Sequence, residues 1–265
     1  MLRLIMLVLL CLSVISCGKE STKSARKKIK LTEADMEALM AQQSISCPSQ
    51  DCPDAIARLF IINFNDAENS SLCTGSLVGP RLLMTNSHCI ENGNLQQVCE
   101  GFYAVFNSQF GGHEVARCAQ VLFRHNHSTN RSGLSSQDYA LIQLDRDVMA
   151  TPLTIDRQGF KSGDTVHPYV IDHISGASAR IVKLECTVSS DTNNGRDLVL
   201  NRCPAIGGNS GAPILLTNGL VAGVLYAAQD TPVNEITELP ERQTANTISV
   251  GFPMNEILED LDTWL

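Results

Sequence analysis

From Ala55 onward, short apolar runs rich in β-branched and aromatic residues alternate with clusters of Gly, Asn, Ser and Pro. The runs are Arg58–Phe64, Arg81–Thr85, Phe102–Phe106, Val115–Phe123, Tyr139–Leu144, Arg180–Leu184, Leu198–Leu200, Ala212–Leu216, Leu220–Tyr226 and Thr247–Phe252. Each is short for a helix and bounded by turn formers, which predicts strands. About a dozen strands with no helical periodicity between them predict an all-β protein of closed or sandwiched antiparallel sheets. Residues 146–162 read as a crossover between two halves. Helical signals lie only at the ends. Thr32 followed by Asp35 caps a short helix running to about Gln43, before the turn-rich stretch Cys47–Cys52. Asn255–Leu265 places Ile257, Leu258, Leu261 and Trp264 on one helical face, with acids opposite.

Composition narrows the class. With 43% hydrophobic and 18% charged residues over 265 positions, a disordered chain, a coiled coil and a multi-pass membrane protein are excluded. The net charge of −8 is unevenly spread. Residues 19–30 carry six basic side chains against Glu20, whereas residues 31–265 carry 13 basic against 27 acidic. So acidic a body argues against nucleic acid as a partner. Arg3 and the apolar run Leu4–Ile15 have the form of an export signal, short of the roughly 20 residues that span a bilayer.

The signal ends Val14-Ile15-Ser16-Cys17, which resembles the lipobox of bacterial lipoproteins. That resemblance implies cleavage after Ser16 and a lipid on Cys17, hence a membrane partner. Gly18 resembles the outer-membrane pattern, placing the protein in the bacterial cell envelope, facing periplasm or cell surface. An ordinary signal peptide with an incidental Cys17 is the alternative. The basic residues of 18–30 then form a solvated tether near anionic headgroups. Beyond Cys11 and Cys17, eight cysteines remain: Cys47, Cys52, Cys73, Cys89, Cys99, Cys118, Cys186 and Cys203. An even number in an exported protein predicts four disulfides. No Cys-x-x-Cys pair or finger-type spacing is present, so no metal site is expected. His125-Asn-His127 lies in a polar stretch and reads as solvated loop; His113, His167 and His173 have no evident partner. The acids of residues 229–246 read as a solvated surface loop.

Three segments carry chemistry. In Cys73-Thr-Gly-Ser-Leu-Val-Gly-Pro-Arg-Leu-Leu-Met-Thr-Asn-Ser-His88-Cys89, a His follows a buried-type strand at a sharp turn. In Gln137-Asp138-Tyr139-Ala-Leu-Ile-Gln-Leu144, an Asp enters an apolar strand, where its carboxylate needs a partner such as an imidazole N–H. In Ile206-Gly-Gly208-Asn209-Ser210-Gly-Ala-Pro-Ile214, glycines flank a Ser in a turn whose N–H groups converge, as an oxyanion hole requires.

Together these resemble the chymotrypsin-fold, trypsin-like serine proteases. The segments resemble that family's "TAxHC", "DIAL" and "GDSGGP" signatures, in its chain order of His, Asp, Ser, over roughly residues 54–265. The resemblance implies two six-stranded barrels, about 54–145 and 160–252, with a C-terminal helix over 255–265. It implies His88 as general base, Asp138 as its orienting partner and Ser210 as nucleophile, with Gly208 and Ser210 N–H groups as the oxyanion hole. It requires no cofactor, and its substrate is a protein or peptide. It also implies a Cys73–Cys89 bridge beside the His and a Cys186–Cys203 bridge ahead of the Ser. For the others, Cys47–Cys52 and Cys99–Cys118 are the short-range pairings, with Cys47 or Cys52 bridging to the barrel as the rival.

Two departures bear on specificity and activation. Asn209 stands where the trypsin branch has Asp, which resembles the bacterial glutamyl-endopeptidase branch. Pro204 stands where trypsins bind Lys or Arg, and Leu225 where glutamyl enzymes have His, with Tyr226 beside it in the pocket wall. A small or apolar substrate side chain is therefore expected. With Asn209 neutral, no buried ammonium can be paired there, so activity is expected without cleavage near residues 47–57. Whether residues 31–53 form an inhibitory pro-segment stays open at this stage. A catalytically inactive lipoprotein of the same fold, used as a binding module, is the runner-up reading, and a cysteine-rich adhesin of unrelated fold the third.

Overall fold

The computed structural model describes residues 33–40, 42–48, 51–62, 70–90, 95–107, 113–124, 138–172, 178–189, 198–228, 248–254 and 258–264. The export signal, Cys17, the basic tether, His125, His127, His173 and the acidic stretch 229–246 lie outside these residues. Among the described residues, no helix is long and apolar enough to cross a membrane.

The first barrel is a closed six-stranded ring. Its strands are β2 (Ile56–Ile61), β3 (Ser71–Gly79), β4 (Leu82–Thr85), β5 (Phe102–Asn107), β6 (His113–Arg124) and β7 (Ala140–Leu144), ordered β2-β3-β4-β7-β6-β5. The second half is an eight-stranded sheet that curls until β8 (Thr165–Asp172) meets β12 (Pro213–Leu216). Between them run β10 (Cys186–Val188), β11 (Leu198–Asn201), β14 (Ile248–Pro253) and β13 (Val221–Ala228). β9 (Ser178–Lys183) pairs with the far end of β8, and β1 (Ser44–Ser46) adds to β9 in parallel. The fold is all-β with two barrels, as expected.

Side-chain alternation sorts the core into three parts. On β4, Leu83 points into the first barrel with Ala57, Leu59 and Ile142, while Leu82 and Met84 join a cluster shared by both barrels. On β13, Leu225 points into the second barrel with Val166, Leu198 and Ile214, while Val224 and Tyr226 join the shared cluster. A period of two thus divides each strand between a barrel interior and the inter-barrel seam. This explains the near-continuous apolar reading of β4, β7 and β13, which are buried on both sides.

Several elements differ from the sequence expectation. Helix α1 (Glu33–Met40) stops before Gln43, and Met36 and Met40, one helical turn apart, are 1% and 2% exposed in the seam. Gln43 accepts a hydrogen bond from Arg58 of β2 at 3.2 Å, and burial pushes that guanidinium down to about 10. Residues 33–40 and 42–46 are therefore packed into the body, where the sequence suggested only a short helix and turns. β3 runs through Cys-Thr-Gly-Ser, too small and polar to stand out, and is buried for most of its length. β8 contains Pro168, which argues against a strand in sequence reading. The proline keeps its carbonyl in the ladder, where it accepts the Leu184 N–H at 2.9 Å, and the Leu184 carbonyl that would face the missing N–H contacts His167 Nδ1 at 3.3 Å. A short helix, α2 (Leu95–Glu100), also went unpredicted. At the C-terminus, α3 is described over Leu258–Asp262, the start of the expected helix at 255–257 lying outside the described residues; Leu261 is buried, but Trp264 lies beyond the helix and is 46% exposed.

Candidate active site

The chain leaves β4 through Asn86 and Ser87, both fully buried, and enters a 3-10 turn, His88–Ile90. The Cys73–Cys89 disulfide ties that turn to β3. Asp138 precedes β7, the neighbour of β4, and is 1% exposed. Such a carboxylate must be satisfied internally. One oxygen accepts the His88 main-chain N–H at 3.0 Å, and the other meets His88 Nδ1 at 2.5 Å. Asn86 Nδ2 donates to the Asp138 carbonyl at 2.6 Å, fixing the main chain behind the carboxylate. An ionised carboxylate only accepts, so Nδ1 carries a proton and the neutral ring keeps its lone pair on Nε2. The His88 side chain is 32% exposed against 2% for Asp138, which leaves the ring open to a reactant on one side.

The third segment comes from the second barrel. The Cys186–Cys203 bridge fixes its start beside β10. Residues 206–209 then form a turn in which the Asn209 N–H donates to the Ile206 carbonyl at 3.0 Å. Gly208, its third residue, has φ of 91°, whereas Gly207 is not in the positive region. This is a type II turn. The type I alternative differs by a flip of the central peptide, so the φ of Gly208 decides which way its own N–H faces. Asn209 is 1% exposed, and its side chain holds the turn from within. Its oxygen accepts the Ile206 N–H at 2.9 Å, and its Nδ2 donates to the Ile171 carbonyl of β8 at 2.7 Å.

β3 joins the two halves of the site. The Thr74 N–H donates to the Ser210 carbonyl at 2.8 Å, and Thr74 Oγ1 donates to the Gly208 carbonyl at 3.0 Å. The Thr74 carbonyl in turn accepts Thr85 Oγ1 at 2.8 Å. Gly211, with φ of 88°, lies so close that a Cβ would collide with the Thr74 carbonyl and the Thr85 hydroxyl. The Ser210 carbonyl also lies 4.0 Å from the Cys89 sulfur, next to His88 in sequence. His88 and Asp138 are thus hydrogen-bonded to each other, and Ser210 is held near them through Thr74 and Cys89.

The sequence model of the trypsin-like peptidase domain matches residues 73–224, more than half of the chain. The chain belongs to this family. No curated protein matches the sequence. Among solved structures, the serine endoprotease from Yersinia pestis is similar at a TM-score of 0.55 and 13% identity, over 85% of this chain and 65% of that one. A Glu endopeptidase solved with MPD gives 0.53 and 18%, over 77% and 85%. The protein GrC gives 0.60 and 13%, over 82% and 98%. At such identities the likeness shows the fold.

Within this peptidase domain, the expected pocket residues Pro204, Leu225 and Tyr226 lie near the turn 206–209. Pro204 is buried, and Ala205 and Tyr226 are 5% and 7% exposed. Leu225 packs in the core of the second barrel, and it reaches the turn by its main chain. Its carbonyl accepts the Gly211 N–H at 2.8 Å, and its N–H donates to the Ala212 carbonyl at 2.9 Å. None of these four side chains is charged. The sulfurs of Cys73 and Cys89 cluster with His88 at ligand-like distances, but they are joined to each other and offer no thiolate for a metal. Elsewhere, Cys47–Cys52 and Cys99–Cys118 are also bridged. His167 Nδ1 contacts the Leu184 carbonyl at 3.3 Å, a structural role on β8. Sequence reasoning passed over Thr74, Thr85 and Asn86. Their signal was polar side chains inside runs that are otherwise apolar or small.

Proposed function

We propose that this peptidase domain is a serine endopeptidase that cleaves peptide bonds through an acyl-enzyme. The observation that carries the reading is the Asp138 carboxylate held on His88 Nδ1 beside Ser210, which directly follows the type II turn 206–209. Ser210 Oγ attacks the scissile carbonyl while His88 Nε2 takes its proton. The tetrahedral oxyanion is met by the N–H groups of Gly208 and Ser210. His88 returns the proton to the leaving amine, then activates water to hydrolyse the acyl-enzyme in the same manner. Asp138 stabilises the imidazolium throughout and stays ionised. The uncharged surroundings of Pro204, Ala205 and Tyr226 favour a small or apolar side chain at the cleaved bond, and give no support to a glutamyl preference.

Four disulfides suit an oxidising compartment outside the cytoplasm. We place the protein in the cell envelope, tethered by a lipid on Cys17. The test is hydrolysis of a mixed peptide library by the wild type and by Ser210→Ala. Loss of nearly all turnover in the variant supports the reading. A wild type that cleaves nothing points to the inactive binding module.

A further inference from the structure

The oxyanion donors and the base belong to different barrels, so something must hold one barrel's turn in register with the other's His. We infer that the side-chain hydroxyl of Thr74 does this, as a positioning residue for the oxyanion turn; the inference rests on the proposed peptidase reading. Thr74 is fully buried on β3. Its neighbour Cys73 is bonded to Cys89, which follows His88, so the strand is anchored to the base on one side. On the other side Thr74 grips the turn twice. Its hydroxyl donates to the Gly208 carbonyl at 3.0 Å and its N–H to the Ser210 carbonyl at 2.8 Å. Those two carbonyls belong to the peptides on either side of the Asn209–Ser210 peptide, which carries the Ser210 N–H. The two bonds bracket one oxyanion donor. The hydroxyl also holds the carbonyl side of Gly208, whose own N–H is the other donor.

A buried threonine must donate its hydroxyl to something. What distinguishes this one is the acceptor, 134 residues away in the other barrel and in the middle of the turn. The hydroxyl has no competition from bulk water, since Thr74 has no exposed surface. Its strand is held in turn by Thr85 Oγ1 on the Thr74 carbonyl. Gly211 is the glycine that lets this strand come so close. Replacing the hydroxyl by a methyl of the same size removes its bond to the Gly208 carbonyl and frees the turn to reorient, with the fold otherwise intact.

The experiment uses the full chain as wild type, Thr74→Val, Thr74→Ser and, should the valine variant fail to fold, Thr74→Ala. Thermal unfolding confirms that each variant folds. For Thr74→Val, kcat should fall on the order of 10-fold to 100-fold with KM little changed, less than the complete loss of an oxyanion donor would give. Affinity for a peptide aldehyde, which forms a tetrahedral adduct, should fall in parallel, and affinity for the product peptide should not. Thr74→Ser keeps the hydroxyl and should restore kcat to within a few-fold. A valine or alanine variant with wild-type kcat, or a serine variant as impaired as the valine one, overturns the inference. A wild type that neither cleaves peptides nor binds the aldehyde instead refutes the peptidase reading, before any Thr74 variant is compared.

Discussion

The side-chain amide of Asn209 spans the base of the turn 206–209: its nitrogen donates to the Ile171 carbonyl at 2.7 Å and its oxygen accepts the Ile206 N–H at 2.9 Å. Both contacts are neutral and local to the second barrel. The turn beside Ser210 therefore has its internal supports without an ammonium group arriving from elsewhere.

Replacing Asn209 by Asp should consequently be harmful, although the two side chains have the same shape. The carboxylate has no N–H to offer Ile171 and would face that carbonyl as an unpaired charge with 1% exposure. The expected loss is about 3–5 kcal/mol in urea unfolding at neutral pH. A variant as stable as the wild type would mean that a cation reaches this position.

The same relationship predicts activity without processing. Residues 33–40 and 42–46 belong to the folded body, with Met36, Met40 and Ile45 at 1%, 2% and 5% exposure. Met36→Ala should cost about 2–5 kcal/mol, as deletion of a core side chain does. An intact chain with a blocked α-amine should hydrolyse peptides. Its rate should not decline as pH rises through about 8, where an α-ammonium would lose its proton. Activity that appears only after a cut near residues 47–57 would contradict this.

A pH effect on stability is expected at the joint of β6 and β7. Asp145 accepts the Arg117 N–H at 3.0 Å and pairs with Arg146 at 2.9 Å. Burial alone would raise its pKa. The hydrogen bond from Arg146, that from the Arg117 main chain and the charges of both arginines outweigh it, so the carboxyl lies below the usual carboxylate value. Its contribution is present above the unfolded-state pKa of about 3.9 and is lost as pH falls through the depressed folded value. Wild type should therefore exceed Asp145→Asn in stability at pH 7, and the gap should close in acid. A constant gap from pH 7 to pH 2 would assign the difference to something other than ionisation.

The barrels and the three chemical segments were legible because each is local. His88, Asp138 and the glycines around Ser210 advertise themselves by residue type against apolar strands. Thr74 did not, because its role depends on a partner 134 residues away. β8 was hidden by Pro168, whose missing N–H is compensated by a contact of His167 Nδ1 with the Leu184 carbonyl that the sequence does not announce. The burial of Met36 and Met40 likewise depends on a seam that exists only once both barrels have formed. Leu225 was expected as a pocket wall from its position in the chain, whereas strand alternation turns its side chain into the barrel.

The most direct test of the central claim is chemical labelling of the intact, uncut chain with a peptidyl phosphonate bearing a small apolar side chain, followed by peptide mass mapping. The account predicts one adduct, on Ser210, absent in His88→Ala and Ser210→Ala. No adduct on a folded wild-type chain, or an adduct on a different residue, would contradict it.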